Sequence, residues 1–117
     1  MRVNEINYDG AAPIDGYGPG FFRIGKKVFE GPVAAMPEGA QFWGGYDDVA
    51  LFIAAKDVLD VVLIGTGPEI AVPPKAFREA LEEVGIATEF MPSPSACRTF
   101  NVLLSEGRRV GAALIPV

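Results

Sequence analysis

Hydrophobic positions along the chain fall into two regimes, and the second half is the more regular. Asp60 is followed by Val61-Val62-Leu63-Ile64-Gly65, a continuous β-branched run that predicts a central strand buried on both faces. The period then changes. Between Pro74 and Val84, residues Phe77, Ala80, Leu81 and Val84 share one helical face, while Lys75, Arg78, Glu79, Glu82 and Glu83 take the other. Pro74 suits the first helical position and Gly85 the position just past the end. Ile86 to Met91 reads as the next strand. Ser93 with Pro94 at the first helical position, or Ser95, opens a second helix towards Glu106, closed by Gly107. On it Ala96, Phe100, Leu103 and Leu104 span about 100° of arc, Cys97 sits at their edge, and Arg98, Val102 and Ser105 point away. Arg108 to Ile115 completes a β-α-β-α-β order.

The first half is broken by turns. Val3 to Tyr8 predicts a short strand, followed by a turn-rich stretch from Asp9 to Gly20. Phe21 to Ile24 and Lys27 to Phe29 are β-prone runs separated by Gly25-Lys26, the pattern of a β-hairpin. Pro32 to Ala35 adds a strand before Pro37-Glu38-Gly39 breaks the pattern. Val49 to Ala55 is apolar throughout and leaves helix and strand both open, with Asp47 and Asp48 as N-cap candidates if it is helical. A hairpin-rich half joined to an alternating half predicts an α/β fold: residues 1–117 as one compact three-layer domain, a central mixed β-sheet with two or three helices and an N-terminal β-hairpin.

Composition agrees with that size and sharpens the turn content. The 117 residues are 50% hydrophobic and 21% charged, and the domain norm is about 100 to 150 residues. Gly (14) and Pro (10) are well above average usage, which fits many tight turns between short elements. The net charge of −5 argues against nucleic acid, whose phosphates are held by Lys and Arg. The longest uncharged apolar stretches, Val49 to Ala55 and Val110 to Val117, fall far short of the ~20 residues of a membrane span. No secretory apolar region follows Met1, so the expected location is cytoplasmic.

Zero histidines exclude Ser-His-Asp and Cys-His nucleophiles and histidine-bearing zinc sites. With Cys97 alone, no intrachain disulfide or CxxC pair exists. Gly65-Thr66-Gly67 follows the strongest strand, but Ile70 stands where a dinucleotide fingerprint needs its third glycine. Gly20 to Lys27 fails the phosphate-loop pattern at its last position and reads better as the hairpin. The most site-like combination is Gly65, Thr66 and Gly67 with Ser95, Arg98, Thr99 and Asn101, a loop and the helix start from Ser93 to Asn101 that together could hold a small molecule or anion. Cys97 beside Arg98 is a redox candidate, against the plainer reading of a buried structural thiol. Nine of the twelve aromatics lie in the first 52 residues, and among them Tyr17, Phe22 and Trp43 are candidates for a partner surface.

One resemblance spans nearly the whole chain. Ala96-Cys97-Arg98-Thr99-Phe100-Asn101, Leu104 to Val110 and Ala113 to Pro116, with Tyr17-Gly18, Phe22-Arg23-Ile24, Trp43 and Leu63 to Gly67, resemble a small domain-of-unknown-function family. That family includes a mitochondrial assembly factor for respiratory complex I and uncharacterised bacterial and archaeal relatives. Phe100 stands where the family usually has tyrosine, and Met91 to Ser95 is richer in proline than the usual lead-in. The resemblance implies a three-layer α/β fold, no established enzyme activity and no cofactor. It also implies an unidentified protein partner and peripheral association with a membrane complex during assembly. The leading expectation is therefore a non-enzymatic interaction or assembly protein, and the alternative is a small-molecule or anion binder, with enzyme activity left open for it.

Overall fold

Alternation of side chains along three neighbouring strands generates the two hydrophobic cores of the domain. The computed structural model describes residues 12–117; the strand expected at Val3 to Tyr8 lies outside them. In β6 (Val61–Thr66), Val61 and Leu63 enter one core while Val62 and Ile64 enter the other. β8 (Val110–Ile115) divides in the same way, with Ala112 and Leu114 opposite Ala113, and β4 (Val33–Met36) sets Val33 and Ala35 against Ala34 and Met36. These strands form the middle of a five-stranded sheet of order β5-β4-β8-β6-β7, where β5 is Gly39–Phe42 and β7 is Ala87–Met91. β6 runs parallel to β7 and β8, and β4 runs antiparallel to β5 and β8, so the sheet is mixed as expected.

One face of this sheet is covered by α1 (Ala50–Ile53) and α2 (Lys75–Glu83) through Phe52, Phe77 and Leu81. The other face is covered by α3 (Ser93–Ser105) through Ala96, Cys97, Phe100 and Leu104. A separate antiparallel sheet of β1 (Ile14–Gly18), β2 (Phe21–Ile24) and β3 (Lys27–Glu30) packs on the same side. Three layers and a β6-α2-β7-α3-β8 second half result. Among the described residues, no helix is long and apolar enough to cross a membrane.

The hairpin between β2 and β3 shows why the sequence signal there was strong. Gly25 and Lys26 both have positive φ (60° and 70°), which the two-residue turn matching strand twist requires. Asp15 stabilises that turn by accepting the Lys26 N–H at 3.0 Å. The apolar run after Asp48 resolves as a short helix, but neither Asp47 nor Asp48 caps it, since Val49 holds the N-cap position without a side-chain bond. Asp48 instead accepts the Gly44 N–H at 3.2 Å, and its carbonyl takes the Trp43 indole N–H at 3.0 Å. Two strands depart from expectation: β1 lies within the stretch read as turns, and β5 follows immediately after the break at Pro37-Glu38.

Candidate functional site

The loop after β6 and the start of α3 do meet, and they meet as a packed joint. Ser93, fully buried, donates from Oγ to the Ile115 carbonyl at 2.5 Å and accepts the Gly67 N–H at 2.8 Å. Its own N–H returns to the Gly67 carbonyl at 2.8 Å. Ser93 is therefore not the N-cap expected of it: Pro92 holds that position, and the hydroxyl ties the ends of two parallel strands to the helix. Gly65 is small for the same reason. A Cβ there would lie 2.8 Å from Ser93 Oγ, 2.9 Å from Leu114 Cδ2 and 3.0 Å from Ser93 Cα. Gly67 has φ 103°, a backbone region that side chains disfavour.

Thr66 completes the joint. Its hydroxyl lies 2.7 Å from the Glu69 carbonyl and 3.2 Å from that of Met91, and it accepts the Ala71 N–H at 3.1 Å. Those contacts fold the 67–72 loop over the carboxyl end of β6. Asn101 reaches the other way: Oδ1 accepts the Ile14 N–H at 2.8 Å and Nδ2 donates to the Ile14 carbonyl at 2.9 Å. One side-chain amide thus completes the backbone bonding at the start of β1. Ser95 and Thr99 are half-buried, Arg98 is exposed, and the Arg98 guanidinium touches only Ser95 Oγ, at 3.4 Å, among the described contacts. Asn101→Ala is expected to cost about 1–3 kcal/mol, because it strands two part-buried backbone groups. Amide exchange at Ile14 and its β1 neighbours should rise more than exchange in β6 or β8.

The candidate redox thiol is corrected by its surroundings. Cys97 is 4% exposed within the core under α3, and burial pushes its thiol pKa up to about 12 despite the opposing charge of Arg98. Low dielectric disfavours the thiolate, which is the reactive form. Native protein at neutral pH should react negligibly with iodoacetamide over a time in which the denatured chain is fully labelled, as read by intact mass.

Two of the three partner-surface candidates are also corrected. Phe22 is fully buried against α3 and the mixed sheet, and Trp43 is 4% exposed in a cluster with Tyr46, Phe52 and Phe77 at ring separations of 5.6, 5.8 and 5.6 Å. Tyr17 alone is exposed. The exposed aromatic that sequence reading missed is Phe42, on β5, whose ring meets that of Phe29 edge-on at 5.2 Å. Its signal was the alternation of Ala40, Gln41, Phe42 and Trp43, in which Phe42 and Trp43 must face opposite sides.

Residues 14–115 match the model of a family described as a protein of unknown function, DUF498/DUF598. The chain belongs to this family. Among DUF498/DUF598 relatives, an uncharacterised Rhodobacter capsulatus protein is 49% identical over 117 residues, covering 100% of this chain and 94% of its own. The Bos taurus NADH dehydrogenase (ubiquinone) 1 alpha subcomplex assembly factor 3 is 40% identical over 112 residues, covering 88% of this chain and 60% of the bovine protein. This chain thus spans about three fifths of the bovine relative's length. A crystal structure from Bartonella henselae, described as an outer membrane protein, superposes with a TM-score of 0.83 at 36% identity, covering 93% of this chain and 98% of that one. The DUF498/DUF598 match includes every residue of the β6 loop and α3 discussed above.

Proposed function

We propose that this chain works by binding protein, as an assembly factor for a respiratory NADH:quinone oxidoreductase, with no substrate of its own to turn over. The observation that carries the proposal is the 40% identity to the bovine assembly factor over 88% of this chain. The shared region is nearly this whole domain, so the domain itself is what the two proteins have in common. A ligand-binding reading of Gly65, Thr66, Gly67, Ser95, Arg98, Thr99 and Asn101 has less support. The donors and acceptors of Thr66, Gly67 and Asn101 are spent within the chain itself, on backbone groups and, for the Gly67 N–H, on the Ser93 hydroxyl, and Ser93 fills the space beside Gly65. The net charge of −5 also favours protein over nucleic acid as the partner. In this reading the chain acts in the cytoplasm, at the surface of the membrane that receives the complex.

The test is affinity capture of the tagged chain from detergent-solubilised membranes of its native organism. Subunits of NADH:quinone oxidoreductase, as a partial assembly, are expected to be enriched over an untagged control. No enrichment of any such subunit would overturn the proposal.

A further inference from the structure

Four strands border the two sheets among the described residues, and three of them are guarded against pairing with another chain. β1 carries Asp15 and a register shift between Ile14 and Gly16, β3 carries Lys27 and Glu30, and β7 carries Glu89. Charges and bulges of this kind are how proteins keep sheet edges from adding strands. β5, Gly39-Ala40-Gln41-Phe42, has neither.

Among the described residues, its backbone edge is open as well. The two-residue turn at Pro37-Glu38 makes Met36 and Gly39 a hydrogen-bonded pair, and the Trp43 N–H closes on the Pro32 carbonyl at 3.2 Å. Antiparallel alternation then turns the N–H and C=O groups of Ala40 and Phe42 away from β4. Phe42 is 65% exposed, with its ring held edge-on by Phe29. On the opposite face of β5, beside α1, lies a groove of about 440 Å³ lined by Gln41, Leu51, Ala54, Val58, Glu38 and Asp57. Leu51, Ala54, Ala55 and Val58 supply its apolar lining, and both of its charged residues are acidic, Asp57 lying 3.4 Å from Lys56 Nζ.

We propose that the outer edge of β5 docks an extended, basic segment of a partner protein, which adds to the mixed sheet as a further strand. Alternate side chains of that segment meet the Phe42 ring on one face and the groove on the other, where Lys or Arg lies against Glu38 and competes with Lys56 for Asp57. Main-chain bonds to Ala40 and Phe42 supply affinity, and the acidic groove selects the sign of the partner's charge. This proposal rests on the protein-binding reading above and adds the surface and the chemistry of the partner.

The experiment places the photo-crosslinking amino acid benzoylphenylalanine at position 42 of the full chain, in its native organism, with position 102 on α3 as a second site. A crosslink from position 42 to a Lys- or Arg-bearing segment of another protein is expected. Ala40→Pro, which removes only an outward N–H, should reduce its yield on the order of tenfold. The pair Glu38→Lys and Asp57→Lys should reduce it as well, and serves if the proline variant melts early. Crosslinks from position 42 to residues 1–11 of the same chain, or to a second copy, would overturn the proposal. So would a yield unchanged by both sets of variants. A partner crosslinked only from position 102 would sink the docking site and leave the protein-binding reading standing; no partner from either position would count against both.

Discussion

Trp43→Ala is expected to destabilise the domain by about 3–5 kcal/mol, the cost of deleting a large buried aromatic and leaving its cavity. Trp43 is 4% exposed, touches the rings of Tyr46, Phe52 and Phe77, and closes its own loop through the indole N–H to the Asp48 carbonyl. Its cluster is what fastens α1 and α2 to the sheet, so the loss spreads over one whole core. Domains of this size usually have about 5–15 kcal/mol of total stability. The melting temperature should therefore fall by roughly 10 °C or more, as read by circular dichroism. A partner-contact role would instead leave the melting temperature unchanged and weaken binding alone. Any loss of partner binding seen with this variant must accordingly be read against its folded fraction.

Gly65→Ala should also cost stability, by about 1–3 kcal/mol or more, because its new methyl group has no room. Two of the clashing atoms, Ser93 Oγ and Leu114 Cδ2, belong to side chains, but the third is the Ser93 Cα, and backbone yields least. Ser93→Ala should cost a comparable about 1–3 kcal/mol, since it leaves the buried Gly67 N–H without its acceptor. The two effects should not simply add, because both residues belong to one contact. Urea denaturation of the single and double variants measures this. If Gly65 were small in order to admit a ligand, alanine there would be silent in the unliganded protein.

The second half of the fold was legible because its signals are local. A continuous apolar run rich in β-branched residues fits burial on both faces, and the Phe77, Leu81 spacing fits one helical stripe, so β6 and α2 followed directly. The β2–β3 hairpin was legible because Gly25 tolerates positive φ next to Lys26. β1 and β5 were not, since each contains glycine and gains its pairing from a neighbouring strand; nothing inside Gly39 to Phe42 favours extension except one aromatic. The burial of Phe22 could have been read from its alternation with exposed Arg23 and buried Ile24, which aromatic crowding obscured. Asn101 could not have been, because its partner Ile14 lies 87 residues away. At Ser93 the residue type was informative but ambiguous. Serine before a helix can cap it or bridge to another element, and only the arrival of Gly67 and Ile115 decides between them.

The role proposed for this domain is to promote assembly of a respiratory complex by binding its parts. Deleting its gene in the native organism and separating solubilised membranes on a native gel, stained for NADH oxidation, tests that role most directly. The account predicts that the full-size NADH:quinone oxidoreductase band falls, that smaller assemblies accumulate, and that wild-type protein restores the band. An undiminished full-size band in the deletion strain, with no accumulating intermediates, would contradict it.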